Sequence, residues 1–179
     1  MSCLGDEKRQ RSQKCPVYYR HSQNGGKIAA GKSTLAAELA RQPGTVLICE
    51  DEWLYALFGD QMRTMGDYVR MSEKLRAVMG PHVSMLLASG VSVVLDFPAN
   101  TPGLRQWMRD VCKDGGADHR LHFLNLPDER CKARLRQRNQ AGQHAFAASD
   151  AQFDQISSYF VPPQAEEGFD IVTYETEII

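Results

Sequence analysis

Short apolar runs alternate with stretches of helical periodicity along most of the chain. The apolar runs that favour buried strands are Thr45 to Cys49, Val91 to Leu95, Leu121 to Leu126 and Phe169 to Thr173. The stretches that favour helices are Lys32 to Arg41, Glu52 to Phe58, Asp67 to Ser89, Thr101 to Gly115, Asp128 to Asn139 and one that begins at Ser149. Strands that alternate with helices predict an α/β fold, a parallel sheet with helices on both faces. The ligand site of such a sheet lies at the carboxyl ends of its strands.

Residues at the helix ends support these assignments. Leu35 and Leu39 recur at i, i+4 in the first helix, as one face of a helix requires. Thr101 is followed by a proline at the first helical position, and Ser149 opens a capping-box pattern. Within the longest helix, Gly80-Pro81 predicts an interruption or a kink, because proline removes a main-chain donor.

The first 23 residues differ from the rest of the chain because they are polar and charged. One short apolar run, Val17 to Tyr19, interrupts them. We expect residues 1–23 to form a poorly ordered N-terminal segment and residues 24–179 to form the folded domain. No secretory signal is visible in this segment.

Composition narrows the class of protein. The chain has 179 residues, 42% hydrophobic and 24% charged, which fits one ordinary globular domain with a small lid. A formal net charge of −1 argues against a protein whose main task is to grip a nucleic-acid backbone. No apolar run approaches the ~20 residues of a membrane helix. The five scattered cysteines predict reduced thiols in a cytoplasmic protein.

A phosphate-binding motif occupies residues 26–33, where GKIAAGKS matches G-x-x-x-x-G-K-[ST] without a gap. Such a loop curls so that successive main-chain N–H groups point at phosphate oxygens, here those of Ala29, Ala30 and Gly31 onward. Lys32 then places a cation on the β- and γ-phosphates, and Ser33 offers its hydroxyl to Mg²⁺. The motif therefore predicts binding of ATP and Mg²⁺. The competing interpretation is a glycine-rich loop before a surface helix.

The residues in front of this motif do not have the pattern expected of a central strand. A phosphate loop normally follows a buried apolar strand, but residues 20–25 are polar or glycine. The run Val17 to Tyr19 ends too early to serve. We therefore expect a degraded or atypical first strand, and low stability or weak nucleotide affinity as its consequence.

Carboxylates follow two of the predicted strands. Asp96 closes the run that ends at Leu95, and a carboxylate there can hold Mg²⁺ opposite Ser33. The alternative is an aspartate that caps a turn. Glu50, Asp51 and Glu52 close the strand before it, and one of the three can accept the proton of an attacking hydroxyl. Their alternative is a solvated acidic turn at a helix start.

The helix from Asp128 to Asn139 carries the densest positive charge in the chain. Arg134 and Arg138 are spaced i, i+4 and share a face, whereas Arg136 points elsewhere. Two guanidinium groups on one face can neutralise a phosphoryl group during transfer. The alternative is a solvated surface helix. The five histidines have no metal-ligand spacing.

The motifs GKIAAGKST, LICEDEW, VVLDFPANT and ARLRQRN occur in this order. In this order they resemble the small P-loop kinases, a group that includes chloramphenicol phosphotransferase, zeta toxin, gluconate kinase and the kinase domain of phage polynucleotide kinase. The resemblance covers roughly Gly26 to Thr173. It implies a three-layer fold with a five-stranded parallel sheet in the order 2-3-1-4-5, and a lid near residues 138–149.

The resemblance also implies roles for individual residues. ATP and Mg²⁺ would be bound by Gly26, Ala29, Ala30, Gly31, Lys32, Ser33 and Thr34. Asp51 matches the general base, and Asp96 the Mg²⁺-binding carboxylate. Asn100 and Arg105 match polar residues that touch substrate or phosphate. Arg134 and Arg138 match the arginines of the lid.

The function predicted from these features is transfer of the γ-phosphate of ATP to a hydroxyl of a small molecule. A second hypothesis is a nucleotide-binding switch with slow hydrolysis only, whose partner protein would contact the aromatic run Tyr159-Phe160. That run is also explained by core packing. A third, phosphorylation of polynucleotide 5′-hydroxyls, lacks a basic groove with aromatics. The sequence names neither the acceptor nor the oligomeric state.

Overall fold

The computed structural model describes residues 14–21, 31–140 and 149–175. Its strands are β1 (Lys14–His21), β2 (Thr45–Cys49), β3 (Ser92–Asp96), β4 (Asp118–Asn125) and β5 (Asp170–Tyr174). Its α-helices are α1 (Lys32–Ala40), α2 (Glu50–Phe58), α3 (Met65–Ala88), α4 (Pro102–Asp114), α5 (Asp128–Gln140) and α6 (Asp150–Ser158). A single 3-10 turn, Ala165–Glu167, precedes β5. The predicted alternation of strands and helices is confirmed.

The strands form one five-stranded sheet in the order β2-β3-β1-β4-β5, and every pair is parallel. β3 shows how the sheet divides the core. Val93 and Leu95 contact the apolar cluster on the side of α3 and α4, whereas Val94 contacts the cluster on the side of α1, α5 and α6. Helices therefore cover both faces, because successive side chains of a strand point to opposite sides.

The first strand corrects the expected domain boundary. Residues 14–21, which we assigned to a poorly ordered segment, form β1 and lie between β3 and β4 in the sheet. β1 pairs with β4 along its whole length, from Lys14↔Asp118 to His21↔Asn125. With β3 it shares the single register pair Val17↔Leu95. The strand therefore exists, but its sequence remains atypical because Lys14, Pro16 and Arg20 occupy a central position.

Helix α3 runs without interruption through Pro81, so the interruption predicted there is wrong. Pro81 is exposed on the side away from the core. Gly80, its neighbour, is buried against α4, and a Cβ atom there would lie 3.2 Å from the indole nitrogen of Trp107. Glycine at this position therefore permits close packing of the two helices. None of the helices within the described residues is long and apolar enough to cross a membrane.

Candidate active site

The start of α1 is built to receive an anion. Gly31 caps the helix with φ of +92°, a left-handed conformation that glycine adopts without strain. The N-cap residue of α1, Gly31, makes no side-chain capping bond, so no capping oxygen among the described residues takes up the main-chain N–H groups of the first turn. A phosphate group matches this set of donors. The predicted loop residues Gly26, Ala29 and Ala30 lie outside the described residues.

Lys32 and Asp96 meet beneath this helix start. The ammonium nitrogen of Lys32 lies 2.7 Å from Oδ1 of Asp96, with 5% and 2% of the two side chains exposed. Asp96 is the last residue of β3, so the strand delivers its carboxylate to the carboxyl edge of the sheet. The sequence placed these residues in one site, and the geometry brings them into contact. Ser33 and Thr34, the next residues of α1, are exposed.

Cys49 is a neighbour of this pair that sequence analysis did not identify. Its thiol donates to Oδ2 of Asp96 at 3.7 Å, because Cys49 and Asp96 are register partners at the ends of β2 and β3. Burial raises the pKa of the Cys49 thiol to about 11, and the Asp96 carboxylate adds to this effect. The thiol therefore stays protonated at neutral pH and acts as a donor, not as a nucleophile.

The three acidic residues after β2 have different surroundings. Helix α2 begins at Glu50, two residues earlier than predicted. Glu50 is fully buried, whereas Asp51 and Glu52 are exposed. Burial raises the pKa of Glu50, although Arg76 and the Tyr68 hydroxyl oppose the shift. A buried carboxylate cannot reach a substrate, so Glu50 is excluded as the base and Asp51 remains a candidate.

Asp51 lies at the same edge of the sheet as Asp96. The strand that precedes it, β2, pairs with β3 in parallel, and Asp51 follows the register partner of Asp96 by two residues. Its negative charge contributes to raising the pKa of both Cys49 and Tyr68, which places the carboxylate near these two side chains. Asp51 is therefore an exposed acid at the same edge of the sheet as the Lys32–Asp96 pair.

Helix α5 divides its basic residues between two faces. Lys132 forms an ion pair with Asp154 at 2.7 Å, and Arg136 forms one with Asp150, so this face is attached to α6. Arg134 lies on another face, where its Nη1 atom would be 3.6 Å from a Cβ atom at Gly31. The predicted difference between Arg136 and Arg134 is therefore present in the structure. One guanidinium group lies next to the start of α1.

The second predicted arginine, Arg138, is half-buried on α5. Its role as an arginine of the lid stays a prediction. The expected lid over residues 138–149 lies largely outside the described residues, since residues 141–148 are not described. Residue Asn100 is half-buried, and its main-chain carbonyl accepts a hydrogen bond from the amide of Val161 at 2.9 Å.

The prediction that Arg105 contacts substrate is wrong. Its side chain is 0% exposed and forms an ion pair with Glu167, with Nε 2.5 Å and Nη2 2.6 Å from the two carboxylate oxygens. Its Nη1 atom donates to the carbonyls of Ala99 at 3.0 Å and Val161 at 2.8 Å. The guanidinium group is thus fully engaged with the protein. It fastens the segment before β5 to α4.

The aromatic run near the C-terminus is divided between surface and core. Tyr159 is exposed, whereas Phe160 packs against the apolar cluster beside α3 and α4. Of the two aromatic residues predicted to contact a partner protein in the switch hypothesis, only Tyr159 is therefore exposed.

Solved structures with a similar fold include kinases and a protein provisionally assigned as one. A protein of Chloroflexus aurantiacus, provisionally assigned as a kinase, superposes with a TM-score of 0.65 at 17% identity, over 91% of this chain and 86% of that one. The Mycobacterium tuberculosis APS kinase CysC, in complex with AMPPNP and APS, gives 0.56 at 22% identity, over 92% and 91%. A gluconokinase from Sinorhizobium meliloti gives 0.56 at 16% identity, over 92% and 84%. At these identities the similarity establishes the fold alone.

Family assignment rests on the sequence itself. The profile of the family described as AAA domain matches residues 25–163, which include the phosphate-loop motif, both strand-end carboxylates and helix α5. A search of curated proteins finds no significant match. The resemblance to small P-loop kinases is confirmed by the family and the fold together. The chain belongs to the AAA domain family and has the α/β fold of the P-loop kinases.

Proposed function

We propose that this protein transfers the γ-phosphate of ATP to a hydroxyl group of a small-molecule acceptor. The observation that carries the proposal is the contact of Lys32 with Asp96 at the carboxyl edge of the sheet. Both side chains are almost fully buried, yet they lie at the open start of α1, where anions bind. An ion pair at this position joins the two groups that a nucleotide and its metal ion would engage.

The proposed transfer uses an acid beside that pair. Asp51 takes the proton of the acceptor hydroxyl, whose oxygen forms a bond to the γ-phosphorus. The bond from that phosphorus to the β,γ-bridging oxygen breaks, and ADP leaves. Lys32 and Arg134 neutralise the negative charge that spreads over the phosphoryl oxygens. Asp51 is suited to this step because it is exposed, whereas neighbouring Glu50 is enclosed.

The chain also offers oxygen ligands suited to Mg²⁺. The hydroxyl of Ser33 and the carboxylate of Asp96 are of the kind that this ion prefers, with water and phosphate oxygens completing its shell. When bound, Mg²⁺ would neutralise phosphate charge during transfer. Binding of Mg²⁺ by Asp96 would require that the Lys32 ammonium leave this carboxylate, and a phosphate group of ATP held at the start of α1 would then pair with Lys32.

A small acceptor fits better than a polynucleotide. The net charge of −1 gives no general attraction for a nucleic-acid backbone. Two basic residues of α5, Lys132 and Arg136, are moreover paired with acids of α6, which reduces the positive charge available on this helix. Among the described residues, the charge directed toward the phosphate-binding helix belongs to Arg134.

The test is Asp51→Asn, measured with hydroxyl-containing metabolites, nucleosides and antibiotics as acceptors. The first step is to find a compound that accepts labelled γ-phosphate from ATP with the wild-type protein. Asp51→Asn should then lower the rate of transfer by about 10²–10⁴-fold, because a general base contributes that much. Binding of a fluorescent ATP analogue should be unchanged.

Glu52→Gln is the matched control, since Glu52 is an equally exposed acid in the same helical turn. It should leave transfer within about threefold of the wild-type rate. Normal transfer by Asp51→Asn would reject the base assignment. If no acceptor accelerates consumption of ATP while a protein partner binds in a nucleotide-dependent manner, the switch hypothesis replaces the kinase.

A further inference from the structure

A buried ionic network lies directly behind the candidate base. The carboxylate of Glu50 is 0% exposed and receives two donors from α3. The hydroxyl of Tyr68 donates to its Oε2 atom at 3.0 Å, and Nη1 of Arg76 donates to its Oε1 atom at 3.0 Å. Both oxygens of the carboxylate are therefore held from the same helix.

The donors occupy one stripe of α3. Tyr68, Ser72 and Arg76 are spaced i, i+4, i+8, so their side chains emerge on one side of the helix. Ser72 is buried between the other two. Their apolar neighbours on α3, among them Met71 and Leu75, belong to the core. This polar stripe is set into an otherwise apolar face and meets α2 at Glu50.

Burial of this ionic network carries a free-energy cost. A carboxylate taken out of water loses several kcal/mol of hydration, and its ion pair with an arginine often only offsets that loss. An apolar residue at this position would commonly serve packing as well. Removal of Glu50 from water is reflected in its pKa, which burial raises. Such a group is best explained by a geometric task that packing alone does not perform.

The task follows from the position of Glu50 in the chain. It is the first residue of α2, directly after β2 and directly before Asp51. Its N-cap residue is Cys49, which offers no oxygen of the kind that usually caps a helix start. The two donors from α3 instead hold its first residue from the side. Because Asp51 is the next residue, these contacts also restrict the orientation of Asp51 relative to the end of β2.

We propose that Glu50, Tyr68 and Arg76 are positioning residues for the Asp51 base, because they tie the first turn of α2 to α3. The inference rests on the proposed function, in which Asp51 accepts the proton of the acceptor. The three residues do not touch the substrate themselves. Their effect on transfer passes through the placement of Asp51 relative to the Lys32–Asp96 pair.

The first experiment needs no acceptor. Amide hydrogen exchange is measured by NMR in the wild type and in Arg76→Gln and Tyr68→Phe. The amides of Leu54 and Tyr55, which can hydrogen-bond within the first turns of α2, should exchange at least about tenfold faster in both variants. The amides of β4 should exchange at the wild-type rate. Equal exchange at Leu54 and Tyr55 in wild type and variants would overturn the proposal.

A conservative variant separates positioning from general stability. Arg76→Lys keeps a cation beside Glu50 and should restore slow exchange at the start of α2, in part or in full. Faster exchange in every element, including β4, would show a loss of global stability and would also overturn the proposal. If Arg76→Gln does not fold, Tyr68→Phe decides the question alone, because it removes one donor and leaves the ion pair intact.

The second experiment connects the network with catalysis. With the acceptor found in the screen, Arg76→Gln and Tyr68→Phe should lower kcat about tenfold or more, with the KM for ATP within about twofold of wild type, since a small displacement of a base is costly. Arg70→Gln is the control, because Arg70 pairs with Asp67 on the exposed side of the same helix. It should change neither value.

The outcomes distinguish the two proposals. If Asp51→Asn transfers phosphate normally, the proposed function fails, whatever the exchange data show. If Asp51→Asn is inactive while Arg76→Gln and Tyr68→Phe retain normal exchange and normal kcat, the positioning role fails and the proposed function stands.

Discussion

Lys32 and Arg105 are both buried cations, and their charges are paired in different ways. The Lys32 ammonium, 5% exposed, forms an ion pair with Asp96, the last residue of β3. The Arg105 guanidinium, 0% exposed, engages both oxygens of Glu167 and the carbonyls of Ala99 and Val161. One cation lies at the open start of a helix, and the other is enclosed by main-chain oxygens.

The difference indicates which cation is able to move. A lysine ammonium is a compact charge on a flexible stem, so it can leave one carboxylate for a phosphate nearby. An arginine that makes several hydrogen bonds to fixed carbonyls would lose all of them at once. The two buried ion pairs are therefore expected to have different roles. Lys32 should exchange its carboxylate partner for a phosphate when a ligand binds, whereas Arg105 should stabilise the fold.

The largest expected effect comes from removing the exchangeable cation. Lys32→Met should lower phosphate transfer on the order of 10²–10³-fold, because a charge aimed at the transferring group is lost. Binding of ATP should weaken as well, measured by titration with a fluorescent analogue. The fold should persist, since methionine keeps most of the apolar stem of the lysine and Cys49 still donates to Asp96.

Lys113→Met is the control for that variant, because Lys113 is an exposed lysine in the last turn of α4. It should transfer phosphate at the wild-type rate. If Lys32→Met retained a rate within about threefold of wild type, the contrast between the two buried cations would disappear, and with it the assignment of the site.

The next effect in size concerns stability. Arg105→Met should lower the free energy of unfolding by about 3–5 kcal/mol, because it leaves Glu167 and several buried carbonyls without their donor. Urea unfolding followed by circular dichroism measures the loss. Nucleotide binding by the folded fraction should be unchanged, since Arg105 does not face the phosphate-binding helix.

Arg41→Met provides the matched comparison. Arg41 also pairs with a glutamate, Glu38, but the two side chains are 76% and 57% exposed. Its loss should alter stability by less than about 1 kcal/mol, as for other surface ion pairs. A similar small change for Arg105→Met would contradict the structural role given to the buried pair.

The fold was predictable because its signals are local. The apolar runs of β2, β3, β4 and β5 and the caps of α4 and α6 can be identified within windows of a few residues. A degraded or atypical first strand was expected, but the bounds of β1 were not predicted, because its place in the sheet depends on pairing with β4, over 100 residues away along the chain. Polar residues in a central strand carry no local signal of that pairing.

The site was predictable only in part, for the same reason. The phosphate motif and Asp96 follow from spacing, and their contact follows from the parallel sheet. Arg105 was misassigned because its partner, Glu167, is 62 residues away and has no motif of its own. The stripe of Tyr68, Ser72 and Arg76 was not identified from the sequence, because α3 carries other polar residues as well. The acceptor of its hydrogen bonds, Glu50, could not be distinguished from Asp51 until the structure showed that Glu50 is buried and Asp51 is exposed.

His122 is a third buried basic side chain, and it differs from Lys32 and Arg105 because it is uncharged in the folded protein. It is 5% exposed in β4, and its Nδ1 atom forms a hydrogen bond of 2.8 Å with the hydroxyl of Tyr174 in β5. Burial lowers the pKa of His122 to about 4, and the neighbouring Arg120 adds to this effect while Asp170 opposes it. The folded protein therefore holds this ring neutral where an unfolded chain, with a pKa near 6.5, begins to protonate it.

The sign of the resulting pH dependence is fixed by that difference. Above about pH 6.5 the ring is neutral in both states, so His122 does not affect stability there. Between about pH 6.5 and pH 4 the unfolded chain binds the proton and the folded protein does not, so stability falls as the pH is lowered. The loss approaches 2–3 kcal/mol at about pH 4, and is smaller than the loss expected for Arg105→Met at neutral pH.

The measurement compares wild type with His122→Gln, which can still bond to Tyr174 but does not titrate. Urea unfolding at intervals from pH 7 to pH 4.5 should show that the stability of the wild type decreases more steeply than that of the variant. Carboxylates titrate in both proteins, so the difference between the two curves isolates the histidine. Parallel curves would show that His122 is protonated as easily in the fold as in the unfolded chain. Burial would then not have forced this ring to be neutral, and the distinction drawn between the three buried basic side chains would reduce to two.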